Sequence, residues 1–264
     1  MKLAISGKGG VGKTTIAGTL ARLYAAEGRR VLAIDADPDA NLASAIGVPV
    51  AMREQVHTIA SERQLIEERT GAKVREMGQM FKLNPDVADI ADRYALRHAG
   101  VDLLVLGAVA RAAGGCACPE SVLLKSLVQH LVLRRDEIVV LDMEAGIEHL
   151  GRGTAMGVDL MLVVVEPGQR SVDTARRVRE MASALGIRHF GVVLNKSVAI
   201  GEDQAWVAQE LGADRLLGVI PHDPRIAQAD RAGAALVDLG HADLLAPFIT
   251  LKNALHLSCQ ENPR

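Results

Sequence analysis

The residues best equipped for chemistry lie close to the N-terminus, in Gly7-Lys8-Gly9-Gly10-Val11-Gly12-Lys13-Thr14. A short apolar run precedes them and an amphipathic stretch follows, the strand–loop–helix setting of a phosphate-binding loop. Gly9, Gly10 and Gly12 let the backbone N–H groups around Val11 converge on phosphate oxygens without side-chain clashes. The helix opening at Thr14 and Thr15 adds a favourable N-terminal dipole for the same anion. Lys13 is then placed to meet the β- and γ-phosphates, and the Thr14 hydroxyl to ligate Mg²⁺. Gly7, Gly9 and Gly12 also satisfy the GxGxxG dinucleotide fingerprint. Lys13-Thr14 has no task in a dinucleotide site, whereas a triphosphate site needs both. The loop therefore implies ATP and ADP as ligands.

Carboxylates follow at two further strand ends. Asp35-Ala36-Asp37-Pro38-Asp39-Ala40-Asn41 closes one apolar run, and Asp142 closes another that starts at Ile138. An aspartate after a hydrophobic strand is the Walker B arrangement, and Asp142 is expected to bind Mg²⁺ through water. Asp35 reads as a carboxylate of the Mg²⁺ shell or of the scaffold, and Asn41 as a ligand contact or a helix cap. A third constellation, Gly114-Gly115-Cys116-Ala117-Cys118-Pro119, places two thiols two residues apart before a helix. Two thiolates can share one metal, but a structural zinc or iron–sulfur site wants four soft ligands. Cys259 lies far away and reads as incidental. Two chains about a twofold axis would supply the four thiolates.

These residues need a scaffold, and the rest of the chain supplies its pattern. Strand-like runs at 2–6, 30–35, 101–106, 137–142, 159–165, 190–195 and 216–220 alternate with helical stretches at 14–27, 119–133, 171–185 and 203–211. The alternation predicts an α/β fold: one P-loop domain over 1–264, with a mostly parallel, doubly wound sheet of about seven or eight strands. Residues 49–100 form a long charged excursion, helical around 58–69, expected to make a cap or partner surface. Hydrophobic residues make up 49% and aromatic ones only 2%, an aliphatic composition that suits strands buried on both faces. The scarcity of aromatics and the net charge of -2 argue against nucleic acid and anionic membranes as partners. With no signal-like segment and no apolar run long enough to span a bilayer, a cytoplasmic location is expected.

Lys8 is a second lysine that the general loop pattern does not demand, and with it the sequence resembles the deviant Walker A ATPases: MinD, ParA, the nitrogenase iron protein and their relatives. The resemblance implies a nucleotide-sandwich homodimer in which Lys8 reaches the partner's phosphates. It implies a catalytic role for Lys8, Lys13 and Asp37, the last positioning or activating the attacking water and joining Thr14 and Asp142 around Mg²⁺. It makes Glu144-Ala145-Gly146-Ile147-Glu148 a γ-phosphate sensor, and Asn195, Pro221 and Asp223 adenine contacts. The pair Cys116/Cys118, together with the stretches 7–15, 34–49, 114–121 and 141–151, is similar to the CooC family. That likeness implies an ATP-driven metallochaperone: Ni²⁺ or Zn²⁺ bound between subunits, with delivery to carbon monoxide dehydrogenase or the related acetyl-CoA synthase. An electron-transfer ATPase like the nitrogenase iron protein is one alternative, although its cysteines are separated. A MinD- or ParA-like positioning ATPase is another, but the tail 244–264 has only Lys252 and Arg264 as permanent cations.

Overall fold

The computed structural model describes residues 1–37, 39–74, 76, 78–107, 118–134, 137–144 and 157–260. Eight strands form one sheet: β1 (Lys2–Gly7), β2 (Val31–Asp35), β3 (Leu96–His98), β4 (Val101–Val105), β5 (Ile138–Asp142), β6 (Leu160–Val165), β7 (His189–Ser197) and β8 (Leu216–Pro221). Their order across the sheet is β3-β4-β2-β5-β1-β6-β7-β8, and every pairing is parallel except β3 with β4. All residues of β1, β2, β5 and β6 are buried, as strands covered on both faces must be.

Side-chain alternation divides the apolar residues between two layers. On β2, Val31 and Ala33 face one layer while Leu32 and Ile34 face the other. The first layer is closed by α1 (Lys13–Ala26), α2 (Leu42–Ile46), α9 (Pro224–Ala232) and α10 (Ala242–Gln260). The second is closed by α4 (Arg63–Thr70), α5 (Ile90–Tyr94), α6 (Pro119–Arg134), α7 (Gln169–Ala184) and α8 (Ile200–Leu211). The short α3 (Val50–Arg53) buries none of its residues.

Two elements depart from the sequence pattern. β3 is an edge strand of three residues with no apolar alternation, joined to β4 through Ala99 and Gly100, both at positive φ. A two-residue hairpin loop with this geometry matches the twist of the paired strands. The apolar tail is a core helix: Leu244, Phe248, Leu251 and Leu255 of α10 are buried against the first layer. No helix among the described residues is long and apolar enough to cross a membrane.

Candidate nucleotide site

Parallel strands deliver their C-terminal ends to one edge, and β1, β2, β5 and β7 bring the candidate residues there. Gly7 ends β1 at φ 148 with no room for a side chain, since a Cβ would lie 2.5 Å from the Val164 carbonyl oxygen. Gly12 takes φ 97, and a Cβ there would lie 2.4 Å from Asn195 Nδ2. α1 starts at Lys13 with no side-chain cap and no acidic residue in its first turn. Its first N–H groups and its dipole are thus left for an anion. Lys13 is buried, with Nζ donating to the Lys8 carbonyl oxygen at 3.4 Å. Lys8, Gly9 and Gly10 are exposed, while Thr14 and Thr15 are half-buried.

Asp35 and Asp142 are register partners on β2 and β5, so two carboxylates stand side by side at the sheet edge. Both are fully buried. Asp35 accepts the N–H of Leu42 at 2.9 Å and that of Asp37 at 3.2 Å, which ties the start of α2 to the strand end. Asp37 in turn accepts the Asp39 N–H at 3.0 Å. Neither carboxylate oxygen of Asp142 has a hydrogen-bond partner among the described residues, although the Thr14 hydroxyl is close enough to act on it. Burial pushes the Asp142 carboxyl up to about 7, with Asp35 and Asp37 raising it further and Thr14 and Lys13 opposing. Asp35 is raised to about 6, again chiefly by burial, with its backbone donors opposing. A buried carboxylate with no partner is costly unless a cation joins it, and Asp142 beside Thr14 and Asp37 fits a divalent ion. No cluster of three or more His, Cys, Asp or Glu side chains that could hold a metal occurs among the described residues. Mg²⁺ does not require such a cage, because it keeps several waters and takes substrate phosphates as ligands.

Asn195 lies behind the loop, with Nδ2 donating to the Val11 carbonyl oxygen at 2.7 Å. Its neighbour Lys196, to which the sequence assigns no task, donates from Nζ to the Gly10 carbonyl oxygen at 2.6 Å and pairs with Glu166 at 2.6 Å. The dipeptide is visible after a strand-like run, but the left-handed turn of Lys196 (φ 58) that aims it at the loop carries no sequence signal. Pro221 ends β8, and the His222 N–H donates to the Ser197 carbonyl oxygen at 2.8 Å. Asp223 caps α9 by accepting the Arg225 N–H at 2.8 Å and also pairs with the Arg225 guanidinium, which holds its carboxyl down at about 2.

Cys118 caps the start of α6, where Sγ accepts the Ser121 N–H at 3.4 Å and the thiol donates to Ser121 Oγ at 3.2 Å. Cys116 lies outside the described residues, as do 145–148 of the expected γ-phosphate sensor, whose Glu144 is half-buried. The connection from β4 to α6 leaves the same edge of the sheet as the phosphate loop.

Comparison with known proteins agrees with this geometry. Residues 2–237 match the family model described as the CobQ/CobB/MinD/ParA nucleotide binding domain. The carbon monoxide dehydrogenase accessory protein CooC of Rhodospirillum rubrum is 48% identical over 92% of this chain and 91% of its own length. An uncharacterised ATP-binding protein of Methanocaldococcus jannaschii is 45% identical over 88% of this chain and 90% of its own. Among solved structures, the MinC:MinD cell division complex of Aquifex aeolicus superposes with a TM-score of 0.68 at 19% identity, covering 99% of this chain and 98% of that one. With a phosphate-loop fold along its length and a relative this close, the chain belongs to the CobQ/CobB/MinD/ParA nucleotide-binding ATPases and, within them, to the CooC family.

Proposed function

We propose that this ATPase is a metallochaperone acting as a single domain over 1–264: it dimerises with nucleotide, holds Ni²⁺ or Zn²⁺ between subunits, and passes nickel to carbon monoxide dehydrogenase or a related nickel enzyme. The observation that carries this reading is the similarity, over nearly the whole length, to an accessory protein of carbon monoxide dehydrogenase. The seat of Cys118 supports it, because its sulfur stands half-buried at the start of α6 rather than sealed in the core. Cys116 and Cys118 of each subunit would together provide four thiolates.

At the nucleotide, the N–H groups of residues 9–15 grip the phosphates, and the buried Lys13 ammonium neutralises the charge that develops on them. Lys8, exposed at the loop tip, reaches the partner's phosphates. Asp37 orients the attacking water from the segment that Asp35 anchors. Thr14, Asp37 and Asp142 are the residues that would hold Mg²⁺, which when bound offsets charge on the phosphate oxygens. Asn195 and Pro221 flank the adenine; the Asp223 carboxylate is committed to its cap and to Arg225, so its share of base recognition falls to the backbone. β4, from which the chain runs on to the cysteines, ends at the same sheet edge as the phosphate loop, and this supports a link between nucleotide-driven closure and the metal site. Coupling of this kind requires the metal to favour one nucleotide state. Residues 49–100 supply a partner surface, and a cytoplasmic protein with neither nucleic acid nor a membrane as partner is the setting that fits.

The test is metal content with molecular mass, for wild type and for Cys116→Ala/Cys118→Ala, with and without ATP and Mg²⁺. We expect about one Ni²⁺ or Zn²⁺ per two chains, lost in the variant. No metal in any nucleotide state, or iron with sulfide and visible absorption, would overturn the metallochaperone role while leaving the ATPase assignment intact.

A further inference from the structure

Two consecutive residues of β7 hold two consecutive carbonyls of the phosphate loop: Asn195 holds Val11, and Lys196 holds Gly10. On a regular strand successive side chains point to opposite faces, so both could not reach one loop. Here the register of β7 with β8 breaks between Asn195 and Ser197, and Lys196 adopts φ 58. Such a bulge re-aims a side chain, and a residue with a Cβ accepts left-handed backbone only where its surroundings hold it there. Glu166, the residue after β6, pairs with the same lysine. The backbone of Glu166 is itself fixed, since its N–H donates to Ser171 Oγ in the first turn of α7 at 3.0 Å. Packing does not hold the tip of the loop: a Cβ at Gly9 or at Gly10 would meet nothing within 4 Å.

We propose that Lys196, steadied by Glu166, is a positioning residue for nucleotide binding, fixing the Gly10–Val11 peptide while Asn195 fixes the next one. In a trans peptide the carbonyl and the following N–H point in opposite directions. Gripping the Gly10 and Val11 carbonyls from β7 turns the N–H groups of Val11 and Gly12 away from β7. The Val11 N–H rests on the Lys8 carbonyl oxygen at 3.4 Å, a long contact that an anion can replace. The donors are aimed before the phosphates arrive, so less ordering remains to be done on binding. This inference rests on the nucleotide-binding assignment and not on the metal role.

The experiment measures affinity and dissociation rate for fluorescent ADP in wild type, Lys196→Met, Lys196→Arg, Glu166→Gln and the double variant Lys196→Met/Glu166→Gln, together with the melting temperature of each nucleotide-free protein. Lys196→Met is expected to weaken ADP roughly tenfold through faster release, and Lys196→Arg to recover most of that loss. Glu166→Gln should cost about threefold, and the double variant should be no weaker than Lys196→Met alone, because the two side chains act through one contact. Melting temperatures without nucleotide should stay near wild type. The proposal is overturned if Lys196→Met binds within about twofold of wild type, if the two losses multiply independently, or if weaker binding simply tracks a fall in melting temperature. Wild type that fails to bind ADP would instead strike the nucleotide assignment beneath it.

Discussion

Asp142 and Asp35 stand opposite one another on neighbouring strands, and in the nucleotide-free chain each resists ionisation. Both are 3.8 in the unfolded reference and are raised on folding, to about 7 and about 6. Between those limits the folded chain holds protons that the unfolded chain has released, so stability falls as pH rises through the window. By about pH 8 the loss is complete, and for two such buried carboxylates it is on the order of several kcal/mol. Calorimetry of nucleotide-free protein should therefore give a lower melting temperature at pH 8 than at pH 5.5, with the fall levelling off just above pH 7. Asp142→Asn removes one of the two resisted charges, so it should melt several degrees higher at pH 8 and flatten the pH profile. Hydrolysis by the same variant should drop at least about a hundredfold. A variant that melts lower and keeps the wild-type slope would show that Asp142 is not the penalised group. This trade of stability for a cation site was legible in part: a strand ending in aspartate announces Asp142, but that Asp35 is its register partner depends on strand order.

At the scale of elements, the segment carrying Asp37 is held at both ends. Asp35 ties down the start of α2, and Arg22 of α1 ties down its end by donating to the Ile46 carbonyl oxygen at 2.6 Å and to Asp238 at 3.0 Å. Between them, Gly18 lets α1 approach so closely that an added Cβ would sit 2.7 Å from Ala45 Cβ. Arg22→Ala would leave a buried carbonyl unpaired; because Asp238 is half exposed, we expect a loss of about 2 kcal/mol, seen as roughly 4–8 °C in melting temperature. Lys at position 22 should recover only part, since it lacks the fork that spans both acceptors. Steady-state hydrolysis should fall with Arg22→Ala, and unchanged rates would mean that α2 does not need this anchor. Most of the long strands and helices were legible from their apolar runs, but α10, the longest described helix, was not, because the tail is apolar on several sides and lacks a clear one-face pattern. β3 was not, being held by hairpin geometry and the Arg97–Asp102 pair rather than by burial. α2 and α9 were not either, since α2 is five residues long and α9 buries only Ala229.

Across the molecule, stability is concentrated at the centre of the sheet. β1, β5 and β6 are buried throughout, whereas Met80 and Leu83 in the excursion are 95% and 68% exposed. Hydrogen exchange followed by mass spectrometry should therefore label residues 78–88 first and β1, β5 and β6 last. Equal protection in both regions would show that the excursion is part of the cooperative core. The strand order also has a consequence for synthesis. β1 precedes the other seven strands of the sheet in the chain, yet its two neighbours are β5 and β6. β2 can pair with β4 while the second half of the chain is still unmade, but β1 has no neighbouring strand until residues 138–142 have emerged. At ribosomal speeds that delay is on the order of ten seconds. During it, a strand that is buried throughout in the finished sheet, and the glycine loop after it, wait without a partner. The nucleotide loop is thus translated ahead of the rest of the sheet and is among the last parts of it to be assembled, and the nascent chain has to be kept from aggregating until strands β5 and β6 arrive.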